Sequence, residues 1–215
     1  MKAENAKLGI GKIYRAEILT IIASIISIAG IVVMIVFGKA VSSKGDTVNN
    51  TDVISLIVIL VSLVLGIIAF VLNLRGISLA SKDEPAFKDA LVAVILGLLT
   101  SILAAVFSKN RPSLSNAFES ANNITELLTA YYIIRGCINL AQQKKDEKIV
   151  KSGKTAMTLV FIVWIAAAIL KIVPTFIPAD SRTVVEGILS IASLVLAIIA
   201  YIIYLKVLHK TSDIL

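Results

Sequence analysis

The sequence predicts an all-α, polytopic integral membrane protein with six transmembrane helices. The 215-residue chain is 58% hydrophobic and has a mean hydropathy of +0.94. Only 16% of its residues are charged, whereas soluble domains carry about 25% charged residues. Apolar segments long enough to cross roughly 30 Å of hydrocarbon recur along the chain. Polar stretches separate them, and we expect loops at 38–52, 108–123 and 178–183.

We expect one transmembrane domain, residues 18–208, between a basic leader (1–17) and a short tail (209–215). Its spans are expected at about 18–37, 53–74, 90–107, 124–143, 155–177 and 184–208. The first span is longer than the roughly 7–15-residue apolar core of a cleavable signal peptide, so we expect it to be retained. The fourth span is the weakest, because its uncharged part, Leu127 to Ile134, is too short to cross alone. If that segment lay on the surface, the chain would have five spans.

The distribution of positive charge predicts the topology. Fifteen of the 21 Lys and Arg residues lie in the leader, in the connectors 75–88 and 135–154, and from Lys206 to the C-terminus. The positive-inside rule therefore predicts that both termini are cytoplasmic. An even number of spans agrees with that prediction, whereas five spans would separate the two basic connectors from the tail. The short loops favour a bacterial cytoplasmic membrane.

The two basic connectors share short polar sequence motifs. Both Arg75 to Lys88 and Arg135 to Lys151 begin Arg-Gly, continue through Leu-Ala and reach Lys-Asp-Glu. Each connector follows one long apolar segment and precedes another, so the pattern predicts tandem helical hairpins. The spacing of the predicted helix starts, near 18, 88 and 155, extends this to three hairpins.

Composition argues against an enzyme or a metalloprotein. The chain has one Cys (Cys137) and one His (His209), and no catalytic, nucleotide-binding or metal-binding motif is present, so we expect no cofactor. The net charge of +7 lies beside the predicted spans, which favours the anionic head groups of the cytoplasmic leaflet over nucleic acid. A membrane or cytoplasmic protein is the other expected partner. The residues assigned to such contacts are Arg75, Lys82, Lys144, Lys145, Lys148 and Lys151.

Several polar residues fall inside the predicted spans and are candidates for a solute site or for the interior of the bundle. They are Glu126, Thr129, Tyr132, Arg135, Asn139, Glu186 and Ser190. Each of the two Glu residues lies three residues after a capping residue, Asn123 or Thr183, so we favour helix capping over solute or proton binding. For Arg135 we favour a side chain that extends to the cytoplasmic face, with a buried counter-ion as the alternative.

Polar and small residues recur at helical spacing on helices 2, 4 and 6. Such stripes are typical of close helix packing in membranes, and we expect these helices to form the interior; a solute path along them is the alternative. Two function classes follow. The first is a non-enzymatic, membrane-embedded accessory or interaction protein with basic cytoplasmic connectors. The second is a small-solute transporter or channel that uses helices 2, 4 and 6.

Overall fold

A computed structural model describes residues 3–38, 50–172 and 179–215. Throughout this part of the chain the secondary structure is helical, with no strand. Its helices are α1 (Glu4–Gly38), α2 (Asn50–Ala80), α3 (Ala86–Phe107), α4 (Pro112–Gln143), α5 (Glu147–Ile172) and α6 (Ala179–Ile214). For residues 33–38, 50–55, 171–172, 179–184 and 186 the backbone alone is described.

Five of these helices are long and apolar enough to cross a membrane: α1, α2, α3, α5 and α6. The prediction of an all-helical, multi-pass membrane protein is confirmed at this level. Helix α4 differs from the others because Ser, Asn and Glu residues fill its first half.

The helices extend well beyond the apolar segments. The leader is part of α1, which begins at Glu4. The prediction that residues 108–123 form a polar loop is wrong for most of that stretch, since α4 begins at Pro112. Proline ends α3 because it cannot continue a helix, but its fixed φ suits the first position of the next one. The predicted outer loops 38–52 and 178–183 fall largely on residues 39–49 and 173–178, which lie outside the described residues.

The chain divides into two compact units, Lys12–Gly76 and Met1–Gly11 with Ile77–Leu215. In the first unit, most of the large apolar side chains that are described are exposed, as expected for helices that face lipid. Gly30 in α1 is buried, and a Cβ atom at this position would clash with the side chain of Val58 in α2. A close approach of the two helices at this point therefore requires glycine.

In the larger unit α4 is the central helix. It packs along α3 on one side and along α5 on another, contacts α6, and α5 in turn packs along α6. The face of α3 toward α4 consists of buried small residues, which allow the two backbones to approach closely. These residues are Ala86, Ala90, Ala93, Gly97 and Ala104.

Most of the side chains of the larger unit that are completely buried lie at one end of its helices. We call this region the packed end and define it as residues 3–11, 77–90, 133–156 and 204–211. Its largest completely buried side chain is Phe87, whose ring lies against Gly136 and is 0% exposed. The apolar spans, residues 91–107, 157–170 and 187–203, expose most of their large apolar side chains instead.

Candidate functional site

Both chain termini meet the first basic connector at the packed end. The carboxylate of Asp83 accepts hydrogen bonds from Asn5 Nδ2 at 3.1 Å and from the backbone N–H of Ala6 at 2.8 Å. Ser212 Oγ donates to the carbonyl oxygen of Lys7 at 3.4 Å. The start of α1, the turn before α3 and the end of α6 are therefore neighbours.

The second basic connector joins the same region. Asn139 Nδ2 donates to Glu84 Oε1 at 2.8 Å, which ties α4 to the turn before α3. Cys137 is in hydrogen-bonding contact with Thr211 near the end of α6. Segments that are distant in sequence thus converge at one end of the larger unit.

The first Lys-Asp-Glu tripeptide is a structural link. Ala6 lies in the first turn of α1, where backbone N–H groups have no partner within the helix. Asp83 supplies that partner from another segment and places a negative charge at the positive end of the helix. Glu84 is only 5% exposed, and its Oε1 also lies 3.4 Å from the backbone N–H of Ala86. Both carboxylates are therefore used inside the fold.

The second Lys-Asp-Glu tripeptide has a different role. Asp146 Oδ1 accepts a hydrogen bond from the backbone N–H of Ile149 at 3.0 Å and so caps its own helix, α5. Lys145 has φ = 58°, and the backbone N–H of Asp146 donates to the carbonyl oxygen of Ala141 at 2.9 Å. This is a Schellman ending, whose left-handed position glycine usually occupies. The shared tripeptide does not mark equivalent sites.

Positive charge covers the outside of the packed end. Every lysine in this region is exposed, and none forms an ion pair within the described part of the chain. The predicted contact residues Lys82, Lys144, Lys145, Lys148 and Lys151 all belong to this surface, whereas Arg75 is exposed in the Lys12–Gly76 unit. Because Asp83, Glu84 and Asp146 are engaged in hydrogen bonds of the fold, they are poorly placed to neutralise these lysines.

An open groove of about 550 Å³ lies between the end of α4 and the start of α5. The residues that line it are Gln142, Lys145, Asp146, Glu147, Val150, Lys151 and Lys154. Three ammonium groups with an amide beside them offer hydrogen-bond donors and positive charge to an anionic group. Glu147 is the exposed carboxylate of the groove, since Asp146 caps α5.

The predicted site residues on α4 do not form one site. Glu126 is exposed, and its Oε1 accepts a hydrogen bond from Asn122 Nδ2 at 2.8 Å. The interpretation of Asn123 and Glu126 as a helix cap is wrong, because α4 begins at Pro112 and both residues lie in its interior. Thr129 Oγ1 donates to the carbonyl oxygen of Thr125 in its own helix at 2.8 Å.

The remaining polar candidates are separated along α4 and α6. The ring of Tyr132 lies edge-on to that of Tyr131, with centroids 5.3 Å apart, whereas Asn139 belongs to the packed end through its bond to Glu84. Ser190 on α6 is exposed, and the side chain of Glu186 lies outside the described residues. Much of the predicted stripe on α4 does face α3: Ser101 Oγ donates to Asn122 Oδ1 at 3.0 Å.

Arg135, on α4, is exposed. It lies beside the start of α3 and not beside the apolar part of that helix. The next residue, Gly136, contacts Phe87, whereas the uncharged run of α3 begins at Ala90. Arg135 has no carboxylate partner within the described residues.

Sequence reasoning did not identify Asp83, Glu84 or Phe87 as the residues that hold the packed end together. The available signal was the sequence Asp83-Glu84-Pro85, a turn-forming group between two apolar runs. Across residues 3–38, 50–172 and 179–215, no group of three or more His, Cys, Asp or Glu side chains is placed to hold a metal ion. Comparisons with protein-family models, with curated proteins and with solved structures gave no match.

Proposed function

We propose that this chain is a non-enzymatic, membrane-embedded interaction protein that crosses the cytoplasmic membrane of a bacterium six times, as three helical hairpins, with both termini in the cytoplasm. Its packed end is a rigid basic surface that binds the anionic head groups of the cytoplasmic leaflet. One observation carries the proposal: both termini and both basic connectors meet in one buried core, and every lysine of the packed end is exposed around it.

The packing of α4 along α3 supports six crossings over five. Ser115 Oγ donates to the carbonyl oxygen of Ala104 at 2.9 Å near one end of the pair. Gly136 lies against Phe87 near the other end, so the two helices run antiparallel over almost their full length. This packing favours a topology in which α4 crosses the membrane beside α3.

The geometry of the basic surface suits anionic lipid. Each Lys or Arg near an anionic membrane surface contributes about 1 kcal/mol of attraction. The lysines of the packed end extend from helix ends and short turns that a buried core fixes in place, so binding orders few backbone groups. Lys145 supports the groove as a binding site, because a non-glycine residue at φ = 58° carries strain that glycine would relieve.

Thermal unfolding in nanodiscs tests this proposal. We expect the protein to be more stable in phosphatidylglycerol than in phosphatidylcholine. The variant Lys145→Gly separates the contribution of lipid binding from that of folding. This change relieves roughly 1–2 kcal/mol of left-handed strain, so stability in phosphatidylcholine should rise. It also removes one ammonium group, so the gain from phosphatidylglycerol should fall by about 1 kcal/mol.

Lys145→Arg is the matched control, because it keeps both the positive charge and a side chain at the left-handed position with φ = 58°. It should leave the difference between the two lipids unchanged. If phosphatidylglycerol gives no added stability, or if Lys145→Arg reduces the gain as much as Lys145→Gly does, the basic surface does not bind anionic lipid.

A small-solute transporter or channel is the second candidate. It is favoured by a hydrogen-bonded chain from Ser101 through Asn122 to Glu126, beside the apolar run of α3. Proton flux into proteoliposomes, followed with an entrapped pH-sensitive dye, tests this candidate. Flux that disappears in Glu126→Gln but persists in Lys145→Gly would favour transport over lipid interaction.

A further inference from the structure

The groove between α4 and α5 contains charges of both signs. Lys145, Lys151 and Lys154 line it together with Glu147, whose side chain is exposed. Within the described part of the chain the Glu147 side chain forms no ion pair and no hydrogen bond, so its carboxylate is free to accept hydrogen bonds from a ligand. Attraction of anions by charge alone does not account for this carboxylate, because a negative charge in the groove weakens that attraction.

The charged groups of α5 are ordered by depth. Lys151 and Lys154 follow Glu147 by four and seven residues, so the three side chains share one face of the helix. Lys154 immediately precedes the uncharged run from Thr155 to Leu170, which is part of an apolar span. At a rise of about 1.5 Å per residue, Glu147 lies about 10 Å further from that run than Lys154 does. The groove therefore presents ammonium groups next to the hydrocarbon and a carboxylate further out.

We propose that the groove binds the head group of phosphatidylglycerol and that Glu147 selects this head group by accepting a hydrogen bond from its glycerol. In a phospholipid the phosphate lies beside the acyl chains and the alcohol extends toward water, which matches the order of Lys154, Lys151 and Glu147 along α5. Hydroxyl groups donate hydrogen bonds to a carboxylate, and the amide of Gln142 offers a further acceptor. The inference rests on the proposed binding of anionic lipid and adds chemical selectivity to it.

Phosphatidate is the lipid that separates this inference from attraction by charge. Its phosphomonoester carries a charge of about −1.5 to −2 at pH 7, whereas the phosphodiester of phosphatidylglycerol carries a single negative charge. Charge alone therefore favours phosphatidate. In the groove the order is reversed, because phosphatidate has no alcohol to donate to Glu147 and the carboxylate repels its additional charge.

Titration of short-chain lipids into the full chain in a neutral detergent tests the selectivity, with thermal unfolding as the readout for an apparent dissociation constant. We expect phosphatidylglycerol to bind about three- to tenfold more tightly than phosphatidate, the effect of one hydrogen bond. Glu147→Gln removes the negative charge at nearly the same size, so this preference should disappear. Glu4→Gln is the matched control and should keep the preference, because Glu4 is also exposed in the first turn of its helix at the packed end but lies outside the groove.

The possible failures of the inference and of the proposed function are distinguishable. If phosphatidate binds as tightly as phosphatidylglycerol, or if Glu4→Gln removes the preference as completely as Glu147→Gln does, Glu147 does not select the head group. If soluble glycerol phosphate added without lipid stabilises the protein as much as phosphatidylglycerol does, the groove binds a free phosphate ester, and the assignment to a lipid is overturned. If neither anionic lipid stabilises the protein relative to phosphatidylcholine, the proposed function fails together with the inference.

Discussion

The packed end and the apolar spans are built from the same kinds of side chain but place them differently. Ile10 and Ile77, at the packed end, are 0% exposed, whereas Ile102 and Ile191, in the spans, are 51% and 67% exposed. Hydropathy does not distinguish these positions. What distinguishes them is the neighbouring structure, because at the packed end carboxylates and amides tie the chain segments together around the isoleucines.

The solvent explains the difference. At a membrane surface water is present, so removing apolar area from it contributes about 25 cal/mol per Å² and drives burial. Within the hydrocarbon, lipid tails are as apolar as leucine, and helices associate through small residues and polar contacts instead. The contacts between α3 and α4 follow the second rule at Gly97 and Ser115, whereas the core around Phe87 follows the first.

The largest effect expected is the loss of Phe87. Phe87→Ala should lower the free energy of unfolding by about 3–5 kcal/mol, because the ring is completely buried and its removal leaves a cavity. Leu99→Ala is the matched control in an apolar span. Leu99 is 52% exposed, so its truncation should have a much smaller effect. Denaturant unfolding in detergent measures both, and equal losses would contradict the contrast between the two regions.

A smaller effect is expected at the two aspartates of the shared tripeptide. Asp83→Ala and Asp146→Ala each remove a helix cap, so each should cost about 0.5–2 kcal/mol. The location of the damage should differ. In Asp83→Ala, hydrogen exchange should accelerate at the start of α1, around Ala6; in Asp146→Ala it should accelerate at the start of α5, around Ile149. If Asp146→Ala accelerated exchange at Ala6, the two tripeptides would be equivalent after all.

The smallest effect is expected at Arg135. Since the side chain is exposed and has no carboxylate partner within the described residues, Arg135→Lys and Arg135→Leu should each change the free energy of unfolding by less than about 0.5 kcal/mol. Thermal unfolding in detergent checks this. A large loss in both variants would make Arg135 a buried counter-ion and would join α4 to a solute site.

The contrast also shows which features the sequence could predict. Long uncharged runs have no stable soluble arrangement, so the helices and their apolar character were predictable from composition. The helical state of the first half of α4 was not predictable, because Asn and Ser favour turns in isolation. In the structure this segment is helical and packs along α3. The link from Asp83 to Ala6 joins residues far apart in the chain, and no local pattern encodes such a contact.

The shared tripeptide was misleading for a related reason. Lys-Asp-Glu is a common composition for a polar connector, and what each carboxylate does depends on which helix end lies nearby. Asp83 lies next to the start of α1, and Asp146 next to the start of its own helix. Identical tripeptides in the sequence therefore have different functions in the fold.

The proposed six crossings place the packed end and the turn between α3 and α4 on opposite sides of the membrane. Cysteine labelling with a membrane-impermeant maleimide tests it most directly, using Ser113→Cys and Lys148→Cys, which lie near the two ends of α4 at exposed positions. The buried Cys137, replaced by alanine, gives no background. We expect Ser113→Cys to be labelled in intact cells and Lys148→Cys only after permeabilisation. Labelling of both positions from outside, or of neither, would show that α4 does not cross the membrane and would rule out six crossings.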